Sequence, residues 1–251
     1  MLDAWKPLIA LVATLLLLLW AKRWITRHLQ ELSMRSVGDP DVALFVYFVV
    51  VLPGVALHEV SHFLMALLLG VPVRKLKIGP VRQGRSRRVS LGSVQVGSAD
   101  PLRSSLIGVA PLLGGSAVIL LIGNLVLGVR EVAQAMSGQG VEGILAGLRQ
   151  ASRVPGFAMW LYLIFAVSNA MLPSDSDMAT VRPVLIFLGI VAGVVLVVAG
   201  VPAIPEAVVV AVNAAANYLA SAFGLTLVVD AAFMLVMGLS LVIVRRIQGR
   251  S

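Results

Sequence analysis

A His-Glu-x-x-His motif lies inside a long apolar stretch of the chain, where ionisable side chains are costly. The stretch covers residues 42–70, and the motif consists of His58, Glu59 and His62. Positions i and i+4 share one face of a helix, so both imidazoles can reach one metal ion. Glu59 is offset by about 100° around the helix and can act on a water at that ion. The motif therefore predicts a zinc site with Glu59 as the general base.

The competing interpretation of a histidine on an apolar face is a hydrogen-bonded core residue. That interpretation requires two histidines and one glutamate to be buried together, and each costs a few kcal/mol in hydrocarbon. Ionisable residues inside membrane segments are functional by default. The chain has only three histidines. The third, His28, lies among charged residues and is interpreted as a solvated side chain.

The composition is that of a membrane protein with several spans. The chain has 251 residues, is 59% hydrophobic and has a mean hydropathy of +0.98, and several apolar runs reach the length of about 20 residues that crosses a bilayer. The absence of cysteine excludes disulfides and thiolate ligands. The 20 Lys and Arg residues, which contribute to a net charge of +8, cluster at the ends of apolar runs. This pattern favours contact with lipid headgroups over nucleic-acid binding.

These patterns predict an all-α polytopic membrane protein of about six transmembrane helices, with a small membrane-associated β-hairpin or sheet after the second. Alternating residues at Val73–Ile78 and Val89–Val96 predict the strands. Residues 206–224 either lie at the membrane interface or pack inside the bundle, and whether they cross the membrane is left open. Residues 129–153 form a linker that can hold an amphipathic helix. The predicted spans are Leu8–Ala21, Val42–Gly70, Leu102–Leu127, Gly156–Leu172, Val184–Val201 and Leu225–Val244.

The chain divides into three segments. Residues 1–41 hold the first span and a polar loop, residues 42–180 hold the proposed metal-binding core, and residues 181–251 hold the C-terminal helices. The segment 71–100 is rich in cations, so the positive-inside rule places it in the cytoplasm together with both termini.

Two histidines leave a catalytic zinc short of its usual three protein ligands, and a carboxylate oxygen is expected as the third. Asp175 and Asp177 follow the end of the fourth span, and either can turn back toward the metal across Pro173. The competing interpretation of this Ser-rich segment is a loop that caps the next helix. Asp230, in the last span, is a rival ligand without a companion motif.

Three features together resemble the site-2 protease family of intramembrane zinc metalloproteases. They are the HExxH motif in an early span, the basic β-rich segment after it, and an Asn-Pro-Asp motif at the end of a later span. The family's Asn stands eight residues before the liganding Asp, as Asn169 and Asp177 do here, so the resemblance selects Asp177 over Asp175. The chain departs from the family at Met178, where Gly is typical, and at Pro173, which is four residues after the Asn rather than three.

The resemblance implies a zinc-dependent intramembrane endopeptidase that hydrolyses peptide bonds in transmembrane or membrane-anchored substrates. The family's sheet pairs with substrate as an added strand, and its Asn helps to hold the extended substrate backbone. The implied site residues are Glu59 as the catalytic base, His58, His62 and Asp177 as Zn²⁺ ligands, and Asn169, Val94 and Val96 as substrate-binding residues.

The expected partners are a single-span membrane protein or a signal peptide as substrate, and the lipid bilayer, but no nucleic acid. The oligomeric state is left open. The expected location is a cell membrane of prokaryotic type, with the active site toward the cytoplasm. The alternative is a non-proteolytic metal-binding membrane subunit or transporter, although structural zinc usually has four protein ligands. A membrane zincin of another kind would use Glu131, Glu142 or Glu206 as a ligand.

Overall fold

The computed structural model describes residues 2–82, 89–129, 149–199 and 205–249. These residues are mostly helical with one small sheet, as the sequence predicts. The helices are α1 (Leu2–Val37), α2 (Pro40–Leu68), α3 (Pro101–Leu121), α4 (Phe157–Met171), α5 (Asp175–Ala199) and α6 (Glu206–Gln248), and the strands are β1 (Val73–Arg82) and β2 (Val89–Val96).

Four of these helices are long and apolar enough to cross a membrane, and the count rises to five if α4 and α5 together form one bent span. Six spans are therefore not confirmed in the described part of the chain. The sequence predicts two crossings for α4 and α5, but their axes bend by 56° at a short break. Pro173 accounts for the break, because the residue before a proline avoids helical geometry and Leu172 is extended (φ −69°, ψ 135°).

Two helices are longer than their apolar runs predict. Helix α6 is continuous over 43 residues, or about 65 Å at 1.5 Å per residue, so residues 206–224 belong to the same helix as the last predicted span. Helix α1 continues to Val37, whereas its predicted span ended at Ala21. Both helices are longer than a hydrocarbon core of about 30 Å is thick.

Helix α2 carries the motif and is defined at its start by local chemistry. The Asp39 carboxylate accepts hydrogen bonds from the amides of Asp41 and Val42, at 2.8 and 3.0 Å. This is an N-cap, and Pro40 in the first turn lacks the amide that would otherwise be unsatisfied there. The helix then runs through Pro53 to Leu68 without interruption.

The main core of the described residues joins α1, α3, α4 and α6. It includes Leu18, Ile119, Phe165 and Phe223, each at most 2% exposed. At one end of the α1–α6 pair, the Arg245 guanidinium donates to both oxygens of the Glu31 carboxylate, at 2.8 and 3.0 Å. Helices α2 and α5 and the sheet lie outside this main core, and they carry most of the residues of the candidate site described below.

The predicted hairpin is confirmed as a two-stranded antiparallel sheet, with Leu76 opposite Val94 and Ile78 opposite Gly92. Its connection, residues 83–88, lies outside the described residues, and with it lie three cations of the segment 71–100, Arg85, Arg87 and Arg88. Most of the predicted linker, residues 130–148, is also outside the described part. Glu131 and Glu142 lie in that linker and are therefore also outside the described part.

Gly54 should be required for the packing of α2 against α4. A Cβ atom built there would overlap the backbone carbonyl of Ala166, so Gly54→Ala should separate the helices and destabilise the protein by about 1–3 kcal/mol. Thermal unfolding in detergent measures the effect. Gly238→Ala in α6 is the matched control, because that Cβ meets nothing within 4 Å; equal unfolding temperatures for the two variants would contradict the packing.

Candidate metal centre

Three side chains from two distant parts of the sequence bring one ligand atom each to a common point. His58 and His62 come from α2 and Asp177 from the first turn of α5, and the three ligand atoms lie within 4.8 Å of one another. The two Nε2 atoms are 3.1 Å apart. The Asp177 carboxylate places Oδ2 at 3.4 Å from Nε2 of His58 and Oδ1 at 3.2 Å from Nε2 of His62.

Backbone carbonyls fix the orientation of both imidazoles. Nδ1 of His58 donates to the carbonyl of Ala170 in α4, and Nδ1 of His62 donates to the carbonyl of Ile107 in α3, each at 2.7 Å. A carbonyl oxygen can only accept, so the proton of each neutral ring is on Nδ1 and the lone pair is on Nε2. Such bonds to the distal ring nitrogen are typical of metal-ligating histidines.

This arrangement brings three acceptors together, and a cation satisfies all of them at once. Ligand atoms at about 2.0–2.1 Å from a tetrahedral zinc ion lie about 3.3 Å from each other. The two Nε2 atoms, 3.1 Å apart, are close to that spacing, and Asp177 brings one oxygen within 3.4 Å of each imidazole. His58, His62 and Asp177, called the ligand group below, could therefore hold a metal ion.

Asp177 is positioned by a capping box at the start of α5. The Ser174 hydroxyl accepts from the Asp177 amide at 3.3 Å, and the Asp177 Oδ2 atom accepts from the Ser174 amide at 2.7 Å. This reciprocal pair is the usual signature of a helix N-terminus. The capping interpretation of the segment is therefore confirmed for Asp177, and the same carboxylate also faces the histidines. Asp175 lines the cavity that surrounds these side chains, but it is not part of the ligand group.

The predicted base, Glu59, is buried on α2 at 5% exposure and lies against β2. A Cβ atom on Gly92 would be 2.5 Å from Oε1 of Glu59. Only a glycine therefore lets the strand approach the carboxylate this closely. The contact fixes β2 next to the ligand group, and no sequence motif predicted this pairing of Gly92 with Glu59.

A cavity of about 1040 Å³ is lined by the ligand group (His58, His62 and Asp177) and by Glu59. Val94 and Val96, predicted to contact substrate, are in its wall, together with Leu91, Gly92 and Ser93 of the same strand. The structure thus brings the strand and the ligand group to one cavity, while the contact with substrate remains a prediction.

Asn169, the other predicted substrate-binding residue, also lines this cavity. Its Nδ2 atom donates to the carbonyl of Phe165, one turn earlier in α4, at 2.8 Å. Its Oδ1 atom is buried without a hydrogen-bond partner among the described residues. Asn169 is thus near the ligand group and retains an unused acceptor.

Asp230, the rival ligand, lies outside the ligand group and pairs with a residue of α4. Its Oδ1 atom accepts from the Ser168 hydroxyl at 3.0 Å, and the side chain is 1% exposed. This bond joins α6 to α4 one residue before Asn169. Asp230 therefore supports the helix that carries Asn169 and Ala170, and the metal group of the described residues does not include it.

Lys22 belongs to the site although the sequence did not predict it. The sequence places this residue in a polar segment after the first span, but α1 continues through it and Lys22 lines the cavity. No motif in the sequence indicates this, because the approach of α1 to the site depends on the packing of the whole bundle.

Comparison of the chain with protein-family models, curated proteins and solved structures finds no match. The candidate site therefore depends on its own residues and distances.

The geometry predicts one divalent ion per chain, held by Asp177 and not by Asp175. Asp177→Asn keeps an oxygen for the capping bonds but loses the charged ligand. Substitutions of residues that only support the ligands typically lower metal affinity by about 10- to 100-fold, so the loss of a ligand should lower it further. Asp175→Asn should retain the ion. Metal content of the purified variants and chelator competition measure both. Loss of the ion in the Asp175 variant, or its retention in the Asp177 variant, would contradict this assignment.

Proposed function

We propose that this protein is a zinc-dependent intramembrane endopeptidase of the site-2 protease type. The observation that carries the proposal is the placement of Glu59 in one cavity with His58, His62 and Asp177. Three protein ligands leave a position open for water or substrate, as catalytic zinc sites do. The motif helix is also one of the helices long and apolar enough to cross a membrane.

Zinc bound by the three ligands would polarise the scissile carbonyl and lower the pKa of a water in the site toward 7. Glu59 accepts the proton of that water as the water oxygen attacks the carbonyl carbon. Glu59 then delivers the proton to the nitrogen as the C–N bond breaks. The bonds from the imidazoles to Ile107 and Ala170 keep both Nε2 lone pairs on the side where the zinc would be held.

Strand β2 is the element best placed to present the substrate. A helical substrate shields its backbone amides, so the peptide must be extended before it is cleaved. Strand β2 pairs with β1 on one side, and its residues from Leu91 to Val94 and Val96 line the cavity. An extended peptide added along this strand would place its backbone beside Glu59, with Asn169 near its other face.

The proposed substrates are single-span membrane proteins or signal peptides. The proposed location is a cell membrane, with the site toward the cytoplasm as the cation-rich segment 71–100 indicates. The alternative class, a non-proteolytic metal-binding subunit or transporter, is disfavoured by the ligand set. A structural zinc site is usually closed by four protein ligands, and the group found in the described residues has three.

Glu59→Gln should abolish cleavage and leave zinc bound. The amide has nearly the shape of the carboxylate but cannot accept the proton, and Glu59 is not a ligand. The measurement is cleavage of a single-span substrate by the protein reconstituted in liposomes, with zinc content measured on the same samples. Cleavage at the wild-type rate by the zinc-loaded variant would overturn the mechanism.

Gly92→Ala should lower kcat/KM and leave zinc in place. The added Cβ must displace either Glu59 or β2, since it would lie 2.5 Å from Oε1, and a displacement of about 1 Å can cost about 100-fold in rate. Gln95→Ala is the matched control, because Gln95 is exposed on the same strand and does not line the cavity. Equal kcat/KM values for the two variants would argue against a role for β2 at the site.

A further inference from the structure

Helix α1 contributes a cation to the cavity that the proposed hydrolysis does not use. Lys22 is the only Lys or Arg among the described residues of the cavity wall. Its neighbours on either side along α1 are Ala21, which is buried, and Arg23, which is exposed. The side chain of Lys22 therefore belongs to the face of α1 that turns into the bundle.

An ammonium group in this position requires an explanation. Lysines near the end of a span usually extend their side chains toward the headgroups, but Lys22 is in the interior of α1 and lines the cavity. It makes no hydrogen bond or salt bridge with any other residue that the structure describes. An unpaired charge in an apolar segment costs a few kcal/mol, so a partner that arrives with a ligand would recover much of that cost.

The acidic residues of the cavity do not provide that partner. Lys22 is close enough to interact electrostatically with Asp177, but the two side chains form no salt bridge within 4.0 Å. The Asp177 carboxylate already accepts from the amide and the hydroxyl of Ser174 and faces both imidazoles. A cation bound to the ligand group would further offset the charge of Asp177.

We propose that Lys22 binds a carboxylate side chain of the peptide substrate, next to the bond that is cleaved. This inference rests on the proposed peptidase function and adds a substrate class to it: membrane peptides with an acidic residue near the cleavage site. The cavity of about 1040 Å³ extends beyond the metal group to α1, so it has room for residues flanking the reacting bond. An acidic side chain is rare in a membrane segment because it too needs a partner, and the ammonium supplies one.

A panel of single-span substrates tests the proposal with the full-length protein in liposomes. The panel carries Glu, Gln or Lys at successive positions on both sides of the cleaved bond. At one position, the wild-type protein should cleave the Glu substrate with a kcat/KM about 10- to 100-fold above that of the Gln substrate, the range expected for a hydrogen bond to a charged group. In Lys22→Met this ratio should fall to about one, and in Lys22→Glu the Lys substrate should become the preferred one.

Arg23→Met is the matched control. It removes a positive charge from the neighbouring residue of α1, but Arg23 is exposed and outside the cavity wall, so the Glu-to-Gln ratio should stay at its wild-type value. A wild-type protein without preference at any position, or an unchanged ratio in Lys22→Met, would overturn the proposal. An equal loss of kcat/KM with every substrate in Lys22→Met would also overturn it, because such a loss indicates a structural role.

A binding measurement separates this proposal from the peptidase mechanism. The dissociation constant of the Glu peptide is measured in Glu59→Gln and in the Glu59→Gln/Lys22→Met double variant, with the Gln peptide as reference. The Lys22 substitution should raise the dissociation constant of the Glu peptide by about 10-fold or more. The dissociation constant of the Gln peptide should stay within about twofold of its value. Binding that does not distinguish the peptides refutes the role of Lys22 even if cleavage occurs, and binding that does distinguish them supports it even if the protein cleaves nothing.

Discussion

The site depends on two hydrogen bonds that join the motif helix to its neighbours. The imidazoles of His58 and His62 donate to the carbonyls of Ala170 in α4 and Ile107 in α3. Each bond sets the tautomer of a ring and at the same time fixes α2 against another helix. The ligand group therefore exists only when three helices are packed, and the capping box at Ser174 then brings Asp177 to the same point.

Small residues make this packing possible. Gly54 lets α2 approach the backbone of α4, Gly114 lies against the Ser61 hydroxyl of α2, and Gly115 lies against Met171. Small side chains allow such close approach in membrane bundles, where packing rather than the hydrophobic effect holds helices together. Gly92 plays a similar part for the strand beside Glu59. The positions of the glycines and the geometry of the metal group are thus parts of one arrangement.

Features that depend on local periodicity could be predicted from the sequence. The spacing of His58 and His62 predicts that they share a helix face, and alternation predicts both strands; the structure has both. The break before Asp177 could be predicted from Pro173, but the 56° bend between the helices on its two sides could not. Lys22 and the contact between Gly92 and Glu59 could not be predicted, because they depend on how distant elements pack. The peptidase activity and the family resemblance remain proposals that rest on the motif and the site.

The central claim is that two imidazoles and the Asp177 carboxylate form one open metal site. X-ray absorption spectroscopy of the zinc-loaded protein measures the ligand set directly. We predict two imidazole nitrogens and a carboxylate oxygen at about 2.0–2.2 Å, with a further light-atom ligand that changes when a small zinc-binding inhibitor is added. A spectrum without imidazole scattering, or a four-ligand protein shell that no inhibitor alters, would contradict this claim.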